Sequence, residues 1–141
     1  MAGDAKGFPP VAWGEGAMRR TVRYLLFGLG VWLIPFALGM ALFPVIDTSS
    51  ALFDSLMSVA MSASAGWLSW LYLRGSEGTG FAAGLAAGAG WAVIGVVLDI
   101  PFFLIPDAMA AMPVADYAAD IGLTYAMIPI IAGFVGLALR R

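Results

Sequence analysis

The sequence predicts an all-α membrane protein with four transmembrane helices, and its composition and its charge-free runs carry this prediction. The 141 residues are 62% hydrophobic and 11% charged, whereas soluble domains are about 45–50% apolar and about 25% charged. The charge-free runs at 24–46, 55–73, 78–98 and 121–139 are close to the ~20 residues that a helix needs to cross ~30 Å of hydrocarbon. These runs lack the ~10-residue alternating segments of a transmembrane barrel.

The element boundaries follow from the same runs. We predict one transmembrane domain over residues 21–141, whose helices lie at about 21–45, 51–73, 80–105 and 115–139. Residues 1–20 are Gly-rich and mixed in charge, so they do not form the apolar core of a signal peptide. We expect them to form an N-terminal arm at the membrane surface.

Composition also limits the chemistry. The chain has no cysteine and no histidine, which excludes disulfides, thiol catalysis, haem ligation by imidazole and the usual zinc sites. We therefore expect no cofactor, no metal and no catalytic residue. The net charge of -2 also argues against nucleic acid as a partner, because nucleic acid requires a basic patch.

The basic residues predict the topology. All of them fall in the N-terminal segment, the loop after the second helix and the C-terminus: Lys6, Arg19, Arg20, Arg23, Arg74, Arg140 and Arg141. The other two loops carry only acids. The positive-inside rule then places both termini in the cytoplasm, and we expect a multi-pass protein of the bacterial inner membrane.

An internal repeat is suggested by an offset of 66 residues. This offset aligns "VWLIPFAL" (31–38) with "VLDIPFFL" (97–104), and Asp54 with Asp120. The pattern predicts a duplicated helical hairpin with a pseudo-two-fold axis along the membrane normal. The alternative is convergence of two segments of similar apolar composition.

Small residues mark the expected helix contacts, because transmembrane helices associate where their backbones approach closely. Three of the predicted helices carry them at three- and four-residue spacing: Ser55, Ser58, Ser62, Gly66 and Ser69; Gly80, Gly84, Gly88 and Gly95; Gly122, Ala126, Pro129, Gly133 and Gly136. We expect these stripes to face the interior of the bundle.

One carboxylate, Asp99, lies within the apolar run "WAVIGVVLDIPFFLIP". It falls within about 60° of Gly84, Gly88 and Gly95 on a helical wheel, so it is expected to face inward. No Lys or Arg lies at its expected depth. Asp99 must then be protonated, hydrated, hydrogen-bonded, or matched by a cation or a partner chain.

Two interpretations of Asp99 remain open at this point. An ionisable residue inside a membrane is functional by default. Alternatively, hydrogen bonds from Tyr117, Thr124, Ser55 or a Trp indole hold it in a purely structural role. Asp54 and Asp120 are further candidates for the same polar site, although an acid in the first turn of a helix is also explained by the helix dipole.

Three prolines should kink helices and free backbone acceptors, because proline clashes with the carbonyl four residues before it. Pro35, Pro101 and Pro129 are expected to free the carbonyls of Val31, Val97 and Tyr125.

The segments "LDIPFFLIP" and "ADYAADIGLTYAMIPI" resemble a group of small four-helix membrane proteins of bacteria and archaea whose function is uncharacterised. The resemblance implies the four-span fold and draws attention to Asp99, Asp120, Tyr125 and Pro129. It implies no activity. Such proteins often carry a basic residue where this chain has Thr124, so no ion pair is expected here.

Two functions are compatible with these observations. The first is a non-enzymatic accessory or assembly subunit of a larger membrane complex, whose partners are the lipid bilayer and either other membrane chains or a second copy. The alternative is a small transporter or channel that uses Asp99 as an intramembrane proton or cation site.

Overall fold

The computed structural model describes residues 15–76, 78–108 and 110–140. Its helices are α1 (Glu15–Leu42), α2 (Ala51–Leu73), α3 (Phe81–Asp99), α4 (Val114–Tyr117), α5 (Leu123–Tyr125) and α6 (Met127–Ala138). Helix α3 continues as the π-helical segment Ile100–Leu104, and a second π-helical segment, Ala118–Gly122, joins α4 to α5. We call Val114–Ala138 the fourth span. Within the described residues, four helical stretches are long and apolar enough to cross a membrane, which confirms the predicted four-span, all-α class.

Helix α1 begins earlier than the sequence predicted. Residues 15–20 belong to this helix rather than to an arm, because Ala17, Met18, Arg19 and Arg20 are good helix formers. The rest of the predicted arm, residues 1–14, lies outside the described residues.

The helices pack in the cyclic order α1, α2, α6, α3, and the most extensive contact joins α3 to α6. A two-fold axis along the membrane normal would place the first and third spans at opposite corners of the bundle. They are neighbours instead, as are the second and fourth. The duplicated hairpin is therefore not confirmed.

Glycines set the close contact between α3 and α6. A Cβ at Gly84 would overlap the backbone carbonyl of Ala132, and one at Gly88 would lie 2.6 Å from the Cα of Pro129. The predicted inward stripe of α3 is confirmed at Gly84, Gly88 and Gly95, all of which are buried.

The stripe predicted for α2 is confirmed only in part. The buried residues of α2 are Met61, Ser64, Ala65, Ser69 and Leu73. Within the predicted stripe Ser69 is buried, Ser58, Ser62 and Gly66 are half-buried, and Ser55 is exposed. Serine hydroxyls bond to carbonyls of their own helix, Ser55 to Ala51 and Ser62 to Ser58, and therefore do not need a neighbouring helix. In the fourth span Ala126 is exposed rather than inward.

Pro35 lies inside α1 without interrupting the helix. The Ser64 hydroxyl of α2 lies 3.3 Å from the carbonyl of Val31 and 3.0 Å from the carbonyl of Met61 in its own helix, and its single proton is shared between the two acceptors. The predicted free acceptor at Val31 therefore has a hydroxyl of a neighbouring helix within hydrogen-bond distance.

Arginines mark one end of the bundle, which we call the basic end; Arg19, Arg20, Arg23, Arg74 and Arg140 lie there. Arg23 of α1 donates to the carbonyls of Tyr72 at 2.8 Å and Gly75 at 3.0 Å, at the C-terminus of α2. Cations stabilise helix C-termini. Nearby, the buried Trp91 indole donates to the Tyr24 carbonyl at 3.1 Å.

The opposite end, with the loops 43–50 and 105–113, is the acidic end. There Ser50 caps α2 by accepting from the Phe53 N–H at 3.2 Å, as expected for this position. Asp47 accepts from the Ser49 N–H at 2.9 Å and from its hydroxyl at 2.8 Å. Both hydrogen bonds lower the pKa of Asp47, and the bond from the Ser49 backbone N–H has the larger effect.

We predict that Gly84→Ala destabilises the bundle by about 1–3 kcal/mol, because the added methyl forces α3 away from α6. Gly66→Ala is the matched control: its Cβ would meet only Ile131 Cγ2, at 3.7 Å, and should have little effect. The free energy of unfolding in a denaturing-detergent titration measures both. Equal stability of the two variants would show that the glycine contact is unimportant.

Candidate functional site

Asp99 is the last residue of α3 and is 2% exposed. It continues the buried line formed by Gly84, Gly88, Trp91 and Gly95, so the inward orientation predicted from the sequence is confirmed. Gly95 lies one turn before it and leaves room for an aromatic neighbour, since a Cβ there would be 3.2 Å from Tyr125 Cζ.

Three aromatic donors surround the Asp99 carboxylate. The Trp32 indole Nε1 donates to Oδ1 at 2.7 Å. The hydroxyls of Tyr117 and Tyr125 both donate to Oδ2, at 2.9 and 2.5 Å. All three donor residues are buried. Asp99 therefore connects α1, α3 and the fourth span within the bundle.

Three acceptor positions of the Asp99 carboxylate are occupied by these hydrogen bonds. A carboxylate offers about four acceptor positions and an indole N–H can only donate. The hydrogen bonds to Asp99 come from neutral groups, and the described arginines lie at the basic end of the bundle. Hydrogen bonds thus satisfy Asp99 within its own chain, without a cationic side chain among the described residues.

A cavity of about 350 Å³ lies beside this network, and its lining includes residues of both loops at the acidic end. All four spans contribute to its wall. The wall is mainly apolar and aromatic, and its polar members include Asp99, Asp54 and Asp120. The lining residues are Trp32, Pro35, Phe36, Gly39, Met40, Phe43, Thr48, Phe53, Asp54, Met57, Ser58, Met61, Asp99, Phe102, Phe103, Ala110, Met112, Asp120, Ile121, Thr124 and Tyr125.

Both π-helical segments border the cavity. Ile100–Leu104 contains Pro101 and contributes Phe102 and Phe103 to the wall, and Ala118–Gly122 contributes Asp120 and Ile121. π-helical turns are rare and often occur at functional sites. The proline indicates the first irregularity in the sequence, whereas no residue pattern indicates the second.

The structure brings most of the predicted site residues together, in different roles. Asp99, Asp54, Asp120 and Thr124 line the cavity, and Tyr117 contacts Asp99 from outside the lining. Thr124 does not bond to Asp99, since its hydroxyl donates to the Asp120 carbonyl at 3.1 Å. Of the kink prolines, Pro35 lines the cavity, while Pro101 and Pro129 do not.

The helix-dipole explanation holds for one of the two outer acids. Asp54 lies in the first turn of α2. Asp120 does not lie in the first turn of the fourth span, where Asp116 is found instead. Its place in a π-helical segment at the cavity wall is therefore not explained by capping.

The sequence does not predict that Trp32 and Tyr125 donate to Asp99. It predicts a Trp indole as one possible donor, but the chain has five tryptophans and the sequence does not show which of them lies beside Asp99. Spacing within one helix cannot specify which residue of another helix lies opposite.

No family model, curated protein or solved structure matches this chain. The resemblance of its third and fourth spans to small four-helix membrane proteins therefore stays a prediction. Among the described residues there is also no group of three or more acidic, His or Cys side chains that could hold a metal ion.

We predict that Tyr125→Phe costs about 1–2 kcal/mol of stability, because it removes a hydrogen bond to Asp99 inside the bundle. In an Asp99→Asn background the same substitution should cost less than half as much, since the acceptor charge is gone. Unfolding titrations of the four proteins give this coupling.

Tyr24→Phe is the control for this cycle, because the Tyr24 hydroxyl donates to the Ala87 carbonyl at 3.2 Å, far from the Asp99 network. Its cost should be the same in both backgrounds. If Tyr125→Phe is also insensitive to Asp99→Asn, the hydrogen bond does not contribute to stability.

Proposed function

We propose that this chain is a small non-enzymatic transporter or channel in which Asp99 is an intramembrane cation or proton site. One observation carries the proposal: a buried carboxylate borders a cavity whose described lining residues include two further acids and no Lys or Arg. A cavity lined by acidic side chains without basic ones concentrates cations and repels anions.

The membrane setting strengthens this argument. Hydrogen bonds from neutral donors orient the carboxylate but do not neutralise it, and a charge inside a bilayer is costly without a counter-charge. A cation in the cavity, or a proton on Asp99, supplies the missing charge. Exchange between these two states is the elementary step of coupled transport.

The accessory-subunit hypothesis now has less support. It relied partly on an acid that a partner chain would hydrogen-bond, whereas three side chains of this chain already donate to the Asp99 carboxylate. What still favours it is Ser55, an exposed small residue of α2 of the kind that suits close helix association. Gentle native purification that yields a defined partner chain would support this second candidate.

The orientation is part of the same proposal. The distribution of arginines supports cytoplasmic termini in a bacterial inner membrane. The cavity then opens on the outer side, so a transport cycle requires a second state open at the basic end.

We predict that the purified protein in liposomes conducts protons or monovalent cations and that Asp99→Asn lowers this flux at least about 10-fold. Internal pH-sensitive dye and a potassium diffusion potential measure the flux. Asp116→Asn is the matched control, because Asp116 is an exposed acid of the same end outside the cavity lining.

Two results would contradict the proposed function. One is a wild-type flux no higher than that of empty liposomes, and the other is an Asp99→Asn flux equal to that of the wild type. Thermal unfolding of each variant before reconstitution shows whether a loss of flux reflects a loss of fold.

A further inference from the structure

We infer that the cavity binds a monovalent organic cation with an apolar body, such as an ammonium group that carries an aromatic ring. This inference rests on the proposed function, because it names the substrate class of the same site. It follows from the charge, the wall chemistry and the size of the cavity.

The acidic side chains of the cavity wall lie at two depths. Asp99 lies at the buried wall, while Asp54 and Asp120 are exposed residues nearer the acidic end. A cation that enters from this end meets acids at both levels. The same carboxylates repel an anion.

The walls do not suit a metal ion. Calcium takes six to eight oxygen ligands and magnesium retains several waters, whereas most of this wall is apolar side chain. The described residues also contain no cluster of three or more potential metal ligands. A weakly hydrated cation that carries its own apolar shell matches this combination of acid and hydrocarbon.

An aromatic wall lies directly beside the carboxylate. Trp32, which donates to Asp99, stacks on Phe36 with ring centroids 4.4 Å apart, and Phe36 contacts Phe102 at 4.9 Å. Aromatic faces attract alkylammonium groups through cation–π interaction. The Asp99 carboxylate and these rings together provide the two kinds of group that attract an alkylammonium cation.

The size limits the ligand. A cavity of about 350 Å³ is near the lower end of the ~300–1,000 Å³ range of small-molecule sites. It suits a molecule with one or two rings.

Benzyltrimethylammonium and neopentylbenzene provide the test, because they have nearly the same shape and differ in charge. Radiolabelled benzyltrimethylammonium is titrated onto the full-length protein in nanodiscs, and neopentylbenzene is used as competitor. We expect saturable binding of the cation at least about 10-fold tighter than that of the neutral compound. Equal affinities, or no saturable cation binding, would overturn the inference.

The variants test which groups recognise the cation. Asp99→Asn should weaken cation binding at least about 10-fold, and Phe36→Leu about 5-fold with no loss for neopentylbenzene. Asp116→Asn should bind as the wild type does. Phe36→Leu keeps the test decisive if Asp99→Asn fails to fold, since unchanged cation binding in this variant contradicts the aromatic contribution.

Two lipid compositions separate a free cation from a lipid headgroup that carries the same ammonium chemistry. Binding should be equal in nanodiscs of phosphatidylglycerol and in nanodiscs that contain phosphatidylethanolamine. If phosphatidylethanolamine abolishes binding, the lipid amine is the occupant and the inferred substrate class is wrong.

The flux assay distinguishes failure of this inference from failure of the proposed function. Asp99-dependent proton flux without organic-cation binding rejects the substrate class alone. Organic-cation binding without any flux rejects transport and leaves the binding site in place.

Discussion

The hydrogen bonds that Asp99 accepts from Trp32, Tyr117 and Tyr125 are the constraint on which the acidic half of the bundle depends. They fix the relative rotation of α1, α3 and the fourth span, because each donor must point to one carboxylate. Apolar packing alone specifies such rotation weakly in lipid, where tails are as apolar as leucine side chains. The carboxylate therefore contributes to architecture and borders the cavity through the same few atoms.

The two halves of the bundle use different means of association. Toward the basic end the contact of α3 with α6 is made by glycines, and Arg23 closes the C-terminus of α2. Toward the acidic end side chains are larger, the helices carry π-helical segments, and space remains between them. The glycine contact of α3 with α6 leaves little room between these two helices, whereas the cavity that all four spans line lies in the acidic half.

The sequence predicts what a single helix determines by itself. Run length and charge predict the four spans, the spacing of Gly84, Gly88 and Gly95 predicts the inward direction of Asp99, and Pro35 predicts a free carbonyl at Val31. It does not predict what depends on two helices. The adjacency of α1 and α3, the choice of Tyr125 as a donor and the π-helical turn at Asp120 all arise from packing. The hydroxyls of Ser55 and Ser62 bond within their own helix, so these two serines of the predicted α2 stripe do not require a neighbouring helix.

The bond from the Ser64 hydroxyl to the Val31 carbonyl has a consequence for biogenesis. Inserted alone, the first helix would present a bare peptide oxygen to the acyl chains, at a cost of several kcal/mol. The Ser64 hydroxyl that can donate to this oxygen is present only after the second helix has been synthesised. The smallest unit that is stable in the bilayer is therefore the pair formed by the first and second helices. Stable insertion of the first helix then follows synthesis of the second.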